Sequence, residues 1–257
     1  MNHPMHLEGQ NIIVTGAGQG IGEAVARQVV ALGAQAILVD TQGDKVRALA
    51  QELGASHAQA HVGSVADADF VQAMVAQAVA NHGAVHGLVN NAGIVRAAMI
   101  HKMSSETWQQ VIDVNLSGVF YCLKTVGQHM LDRLAAGDAG PASIVNISSD
   151  AARRGTIGQV NYGAAKAGVL GITMSAAREW AAKGIRVNSV CFGIVETEMT
   201  ETVRADKFRD RMLAMVPMGR FASAEEVSRP VAFLLSGAAS YITGQHLSVN
   251  GGYAIGS

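Results

Sequence analysis

The chain has 257 residues, 49 % of them hydrophobic and 15 % charged, and 19 lysines and arginines oppose 20 aspartates and glutamates for a net charge of −1. That balance excludes a disordered chain and leaves no basic field to gather nucleic acid or an anionic membrane. Two cysteines, Cys122 and Cys191, cannot staple a secreted scaffold and fit a reducing cytoplasm. No stretch reaches the ~20 apolar residues of a membrane helix, and the opening MNHPMHLEGQ lacks a basic-then-apolar signal pattern. The expectation is a cytoplasmic globular enzyme with neither nucleic acid nor membrane as partner.

NIIVT at 11–15 predicts a buried strand, followed by a helix over 20–33, the strand AILVD at 36–40 and a helix near 44–53. A weaker strand near 57–62, a helix over 67–82 and the strand GLVNN at 87–91 precede a long helix over 104–133. SIVNIS at 143–148 and IRVNSV at 185–190 read as strands around a helix over 161–182. Helices near 200–214 and 224–236 lead to a last strand, HLSV at 246–249, and Ser223 with Glu226 has capping-box spacing. Short apolar strands alternating with helices imply a parallel sheet covered on both faces, with right-handed crossovers. No repeat or linker divides 1–257, so a single doubly wound α/β domain is expected, with ligands beyond the carboxyl ends of the strands.

Three local patterns bear chemistry. After the first strand, Gly16, Gly20 and Gly22 follow G-x-x-x-G-x-G rather than the common G-x-G-x-x-G. Glycines there let the backbone turn sharply and approach a pyrophosphate, and the next helix offers free N–H groups to negative charge. Asp40 ends the second strand, where a carboxylate accepts from both adenosine ribose hydroxyls and repels a 2′-phosphate. Gln19 stands where a cation would meet that phosphate, and Thr41-Gln42-Gly43 adds no basic residue. The expected coenzyme is NAD.

Tyr162 and Lys166 are four apart, which puts them on one helix face. A free phenol has a pKa near 10 and is a poor base at neutral pH, whereas a neighbouring ammonium favours the phenolate. Upstream, Asn146-Ile147-Ser148-Ser149 ends a strand, where a serine hydroxyl can polarise a carbonyl oxygen.

In this order, TGAGQGIG at 15–22, NNAG at 90–93, Asn115 in DVNLSGVF, NISS at 146–149, YGAAK at 162–166 and GQHLSVNGG at 244–252 resemble the short-chain dehydrogenase/reductase family over nearly the whole chain. Within it, GQVNYGAAKAGVLGIT, GIRVNSV and YITGQ look most like the bacterial 3-oxoacyl-carrier-protein reductase branch. The resemblance implies a Rossmann domain with a mostly parallel seven-stranded sheet, and an NAD-dependent dehydrogenase acting on CH–OH groups. Tyr162 is then the general acid/base, and Lys166 lowers its pKa and binds the nicotinamide ribose. The serine thirteen residues before the tyrosine is Ser149. Asn115 holds a water that links Lys166 to solvent. Gly16, Gln19, Gly20, Ile21 and Asp40 bind the coenzyme together with Tyr162 and Lys166, and Asn91, Ala92 and Gly93 support the fourth strand's end, with Asn91 near the adenosine ribose. Val195 and Thr197 contact the carboxamide or phosphates. The substrate is a small alcohol or ketone, carrier-bound 3-oxoacyl chains are the nearest alternative, and a non-catalytic dinucleotide sensor is a distant one. The family also implies a homotetramer built through the long helices and the C-terminal strand.

The sequence departs from the family pattern at Phe192-Gly193 in place of Pro-Gly, where Phe192 is expected beside the nicotinamide, and at Gly63-Ser64 in place of Asp-Val. No third ligand completes His57 with His61 or His82 with His86, so no metal is expected. Met199, Met212, Met215 and Met218 suit an adaptable lid within 193–218. Arg153 and Arg154 read as a solvated pair or as a counter-charge for an anionic substrate, and Arg178, Lys183 and Arg186 as a dock for an acidic carrier.

Overall fold

A computed structural model describes residues 3–255; residues 1, 2, 256 and 257 of the expected domain lie outside the described residues. The apolar runs form β1 (Asn11–Thr15), β2 (Gln35–Asp40), β3 (Ala58–Val62), β4 (Gly87–Asn90), β5 (Ser143–Ser149), β6 (Arg186–Phe192) and β7 (His246–Val249). All neighbours pair in parallel in one sheet, in the order β3-β2-β1-β4-β5-β6-β7. Alternate side chains serve opposite faces, as the strand repeat of two requires. Ile12 and Val14 join the core beneath α1 (Gly20–Ala31), α2 (Gly43–Leu53) and α10 (Ala224–Leu235). Ile13 joins the core beneath α3 (Ala68–His82), α5 (Gly118–Ala135) and α7 (Val160–Trp180), which follows the single turn α6 (Ala151–Arg154). Two buried faces on a wholly parallel sheet make the Rossmann fold expected above. The strand order reverses between β1 and β4, which opens a crevice at their carboxyl ends.

Two helices differ from the sequence reading. The segment expected as one helix over 104–133 is α4 (Ser105–Ile112), a wide π-type turn at Asp113–Ser117 and then α5. The cause is tertiary. Asn115 is fully buried and clasps the backbone of Ile94, accepting its N–H at 2.8 Å and donating to its carbonyl at 3.0 Å. The segment expected as a helix near 200–214 is split at Ala205 into α8 (Glu201–Arg204) and α9 (Asp206–Leu213). Arg204 folds back to donate to Thr197 O and Thr200 Oγ1, which ends α8. The capping box at Ser223 and Glu226 is present, with both reciprocal bonds made.

A buried amide chain fixes the middle of the sheet. Asn90 donates to Asn146 Oδ1 at 2.8 Å, Asn146 donates to Thr173 Oγ1 at 2.9 Å, and Thr173 donates to Val169 O at 2.8 Å. These bonds tie β4 to β5 and β5 to α7, and breaking one would leave a buried polar group unpaired at about 1–3 kcal/mol. They hold the carboxyl ends of the central strands against the helix that carries Tyr162 and Lys166.

Candidate active site

The glycine turn after β1 packs more closely than any side chain would allow. Gly16 and Gly20 have φ of +65° and +58°. A Cβ on Gly16 would lie 2.8 Å from Ala92 Cα, and one on Gly20 would lie 3.3 Å from Thr197 Cγ2. Asn91 donates to Thr15 O and Gly16 O at 3.0 and 3.1 Å, and the N–H groups of Asn91 and Ala92 both donate to Thr15 Oγ1. Gly93 lies beside Asn115. Contacts thus join Gly16 to Asn91 and Ala92 and Gly20 to Thr197, while Gln19 lies in the same turn and Ile21 packs against the core beneath it. Val195 is placed differently. Its side chain is buried in the core and its carbonyl accepts from Thr200 Oγ1, so a contact there would come from its main chain.

Asp40 is buried at the end of β2 and accepts Gly18 N–H at 2.8 Å and Gln42 N–H at 2.9 Å. The carboxylate is thus aimed at the glycine turn by backbone donors. Sequence reading missed one neighbour: Lys45, in the first turn of α2, donates to Gln19 Oε1 and stands 3.8 Å from Glu198. It brings a cation to the position thought to lack one. The glycine cradle and the fixed carboxylate together fit an adenosine ribose and its pyrophosphate.

Ser149, Tyr162 and Lys166 come together at the carboxyl end of β5. Asn161 is fully buried, donates to Arg96 O and Thr107 O, and accepts Tyr162 N–H, so it seats the start of α7. Its place directly before Tyr162 is the only sequence signal it gives. Tyr162 faces Ser149, whose hydroxyl favours the phenolate, and Ser149 Oγ itself accepts Ala151 N–H at 3.2 Å. Lys166 is buried, donates from Nζ to Ile147 O at 2.8 Å, and lies 5.8 Å from the Tyr162 ring centroid. Ser148 is turned elsewhere and donates to Lys166 O.

The expected lowering of Tyr162 is not found in the chain by itself. Burial raises the phenol above its ordinary value, and only the Ser149 bond opposes it. Burial also lowers Lys166 to about 8, because desolvation penalises the ammonium.

Other expectations are corrected. Phe192 is buried in the core shared with Val195 and Val227 rather than beside the crevice. A side chain at position 63 would strike the Phe70 ring at 2.2 Å, which explains Gly63, and Ser64 Oγ accepts Ala66 N–H within its own turn. Arg153 donates to Ser248 Oγ and His246 O, and Arg154 lies 4.4 Å over the Tyr253 ring, so both hold the C-terminal strand and tail. Arg186 donates to the carbonyls of Leu234, Leu235 and Ser236 at the end of α10, which removes it from any docking surface; Arg178 and Lys183 remain exposed.

His82 Nε2 meets Gln59 and His86 Nδ1 accepts Asn11 N–H, and among the described residues no three His, Cys, Asp or Glu side chains gather to hold a metal. Among the same residues no helix is long and apolar enough to cross a membrane.

Comparison with known proteins agrees with this geometry. The family model described as Enoyl-(Acyl carrier protein) reductase matches residues 16–254. The chain is 40 % identical over 247 residues to the 3-oxoacyl-(acyl-carrier-protein) reductase FabG of Staphylococcus aureus strain Mu50, covering 95 % of this chain and 97 % of the relative. It is 39 % identical over 253 residues to that of Thermotoga maritima, covering 98 % and 100 %. Among solved structures it is similar to a provisionally named NAD(P)-dependent gluconate 5-dehydrogenase from Beutenbergia cavernae with NADP bound at low occupancy. There the TM-score is 0.90 at 36 % identity over 98 % of this chain and 99 % of the other. A provisionally named gluconate dehydrogenase from Agrobacterium tumefaciens gives a TM-score of 0.92 at 28 % identity over 98 % of each chain. With its parallel seven-stranded sheet, its glycine crevice and these relatives, the chain belongs to the short-chain dehydrogenase/reductase family and is an oxidoreductase acting on CH–OH groups with a nicotinamide dinucleotide.

Proposed function

We propose that the protein interconverts a secondary alcohol and a ketone with NAD(H), using Ser149, Tyr162, Lys166 and Asn115. The convergence of Ser149, Tyr162 and Lys166 at the end of β5 carries this reading. The nicotinamide supplies a hydride acceptor or donor when bound. Ser149 donates a hydrogen bond to the reacting oxygen, and Tyr162 gives or takes its proton. Lys166 provides positive charge beneath the phenol and donates to the nicotinamide ribose. Asn115, clasped to Ile94, fixes the wide turn beside Gly93 from which a water can pass protons to Lys166. The lid is segment 193–218, with Met199 and Met218 more than half exposed and Met212 and Met215 partly so. The assembly proposed is a cytoplasmic homotetramer. Its helix faces are supported by exposed Trp108, Phe120 and Met174 on α4, α5 and α7, and its compartment by two unpaired, buried cysteines.

The choice of NAD rests on Asp40. Asp40→Ala is expected to raise kcat/KM with NADP by about tenfold or more, since one lost repulsion of about 1.4 kcal/mol is a factor of ten. Adding Lys45→Gln should cancel much of that gain, because Lys45 is the cation next to Gln19. Steady-state rates with both coenzymes check this, and an Asp40→Ala preference equal to that of the unchanged chain refutes it.

The relatives' names favour a second reading, reduction of carrier-bound 3-oxoacyl chains. Asp40 and the internal use of Arg186 weigh against it. Following NADH and NADPH absorbance with free alcohols and ketones, and separately with carrier-bound 3-oxoacyl substrates, decides between them. Coenzyme binding without turnover on any substrate would leave the sensor reading.

A further inference from the structure

Asp150 follows Ser149 directly, and its side chain is only 3 % exposed. Oδ2 accepts from Asn250 Nδ2 at 2.8 Å, while Oδ1 has no hydrogen-bond partner among the described residues. Burial raises this carboxyl above its ordinary range, against the pull of Asn250, Arg153 and Arg154. The Cys191 thiol on β6 is the other titratable group that senses it. A buried carboxylate with an unfilled oxygen costs folding free energy. Its one side-chain bond goes to the turn after β7.

The register shows how far that bond reaches. Ser149, Phe192 and Val249 are partners on β5, β6 and β7, so Asp150, Gly193 and Asn250 form the next row outward. With strands about 4.8 Å apart, Asn250 spans two intervals, about 10 Å, to reach Asp150. It does so over Gly193, where a Cβ would stand 2.9 Å from Asn250 Cβ. Beyond Asn250 the chain turns through Gly251 and Gly252, at φ of +62° and +87°. Asn250 closes this turn itself, accepting Gly252 N–H at 3.0 Å and donating to Ala254 O at 3.1 Å.

The same turn supports the end of the segment after β6. Met218 N–H donates to Gly251 O at 3.1 Å, and a Cβ on Gly251 or Gly252 would lie 2.9 Å from Val216 or Pro217. A cavity of about 180 Å³, lined by Ile194, Val216, Met218, Val249, Asn250 and Gly251 among others, adjoins this joint. One side of the turn therefore holds the residue after Ser149, and the other holds the end of segment 193–218.

We propose that Asp150 and Asn250 are positioning residues, which hold Ser149 in line with the reacting oxygen and link its placement to the seating of segment 193–218. The inference rests on the reading of Ser149 as the donor to that oxygen. Neither residue touches substrate; both act through the serine.

The test uses full-length variants with melting temperature, coenzyme affinity, kcat and KM measured on one substrate. Asn250→Ala and Asp150→Ala should each lower kcat by about 10- to 100-fold, the scale of a misplacement near 1 Å, with coenzyme affinity within about twofold. Asp150→Asn keeps an acceptor oxygen for Asn250 and should recover most of the lost kcat. The Asp150→Ala/Asn250→Ala pair should be no slower than either single variant. Asn250→Asp sets two carboxylates face to face, so its activity should be highest at low pH, where they share a proton, and fall as pH rises. Equal losses in Asp150→Asn and Asp150→Ala, or unchanged kcat in Asn250→Ala, overturn the proposal. If Asn250→Ala fails to fold, the comparison of Asp150→Asn with Asp150→Ala still decides. Turnover retained in Ser149→Ala sinks the reading of the serine, whereas an inactive Ser149→Ala beside a fully active Asn250→Ala sinks only this inference.

Discussion

Tyr162→Phe is expected to lower kcat by about 10³-fold in both directions, within the range that a positioned proton donor contributes. The ring remains, so its packing 5.8 Å from the Lys166 ammonium survives, and the variant should fold with a nearly unchanged melting temperature. The hydroxyl is what disappears, and with it the group that faces Ser149 and the proton that the reacting oxygen needs. Coenzyme affinity should stay within about threefold, because the glycine turn, Asp40 and Thr197 belong to other elements; a loss in kcat without a loss in binding is the signature of an interaction used in the transition state. The pH dependence has a definite sign. Burial raises the phenol, so at neutral pH it is protonated and ready to donate in ketone reduction. Alcohol oxidation needs the phenolate, so its rate should climb with pH toward a plateau while reduction falls at high pH. Lys166, lowered to about 8, holds its charge below that pH and begins to lose it above. In Tyr162→Phe the residual oxidation rate should lose the slope owed to the phenol. Stopped-flow rates with coenzyme and substrate, measured from pH 6 to 10, check both parts. Turnover within tenfold of the unchanged chain would move the proton to another group.

Contacts that lie within one element were legible in the residues; contacts that join distant elements were not. β1, β2 and β5 are apolar enough to be buried on both faces, which leaves little freedom in their assignment. Tyr162 and Lys166 share a face because of helix spacing, and Ser223 caps α10 because Glu226 is three residues away. The break at Asp113–Ser117 depends on Asn115 meeting Ile94, 21 residues earlier, and nothing in DVNLSGVF announces it. Arg153 and Arg186 reach partners 48 to 95 residues away, so each looked like a free surface cation. Lys45 lies beyond Thr41-Gln42-Gly43 in sequence, yet the first turn of α2 returns it to Gln19, 26 residues back. The rise of Tyr162 was illegible for a different reason: the depth of burial that outweighs the pull of Ser149 belongs to the packed site.

Gly22→Ala should remove coenzyme binding, and much of the folded population with it. The methyl group would be placed 1.9 Å from Gly16 O and 2.6 Å from Asn91 Nδ2, distances that no rotamer change relieves because Ala has none. Gly16 cannot retreat, since it is pressed to Ala92 on the far side and its φ of +65° already favours glycine. Asn91 cannot retreat without releasing Thr15 O and Gly16 O, which hold β1 to the end of β4. Relief therefore has to come from moving α1 off the turn, against the burial of Val25 and Val29 in the core. Overpacking of this kind costs about 3 kcal/mol at the upper end of its range, and any helix displacement withdraws the N–H groups that a pyrophosphate needs. Gly18→Ala is the control. Its Cβ would meet Asp40 Oδ2 at 3.0 Å and Cγ at 3.1 Å, a clash with one side chain that is relieved when Asp40 gives up its bonds to Gly18 and Gln42 N–H rather than by moving a helix. It should keep the melting temperature within a few degrees while weakening NAD binding and narrowing the preference over NADP, because Asp40 is displaced. Thermal melts and titration with NADH fluorescence separate the two outcomes. A Gly22→Ala variant that binds NADH as tightly as the unchanged chain would mean that the close approach of α1 to the turn is not what shapes the crevice.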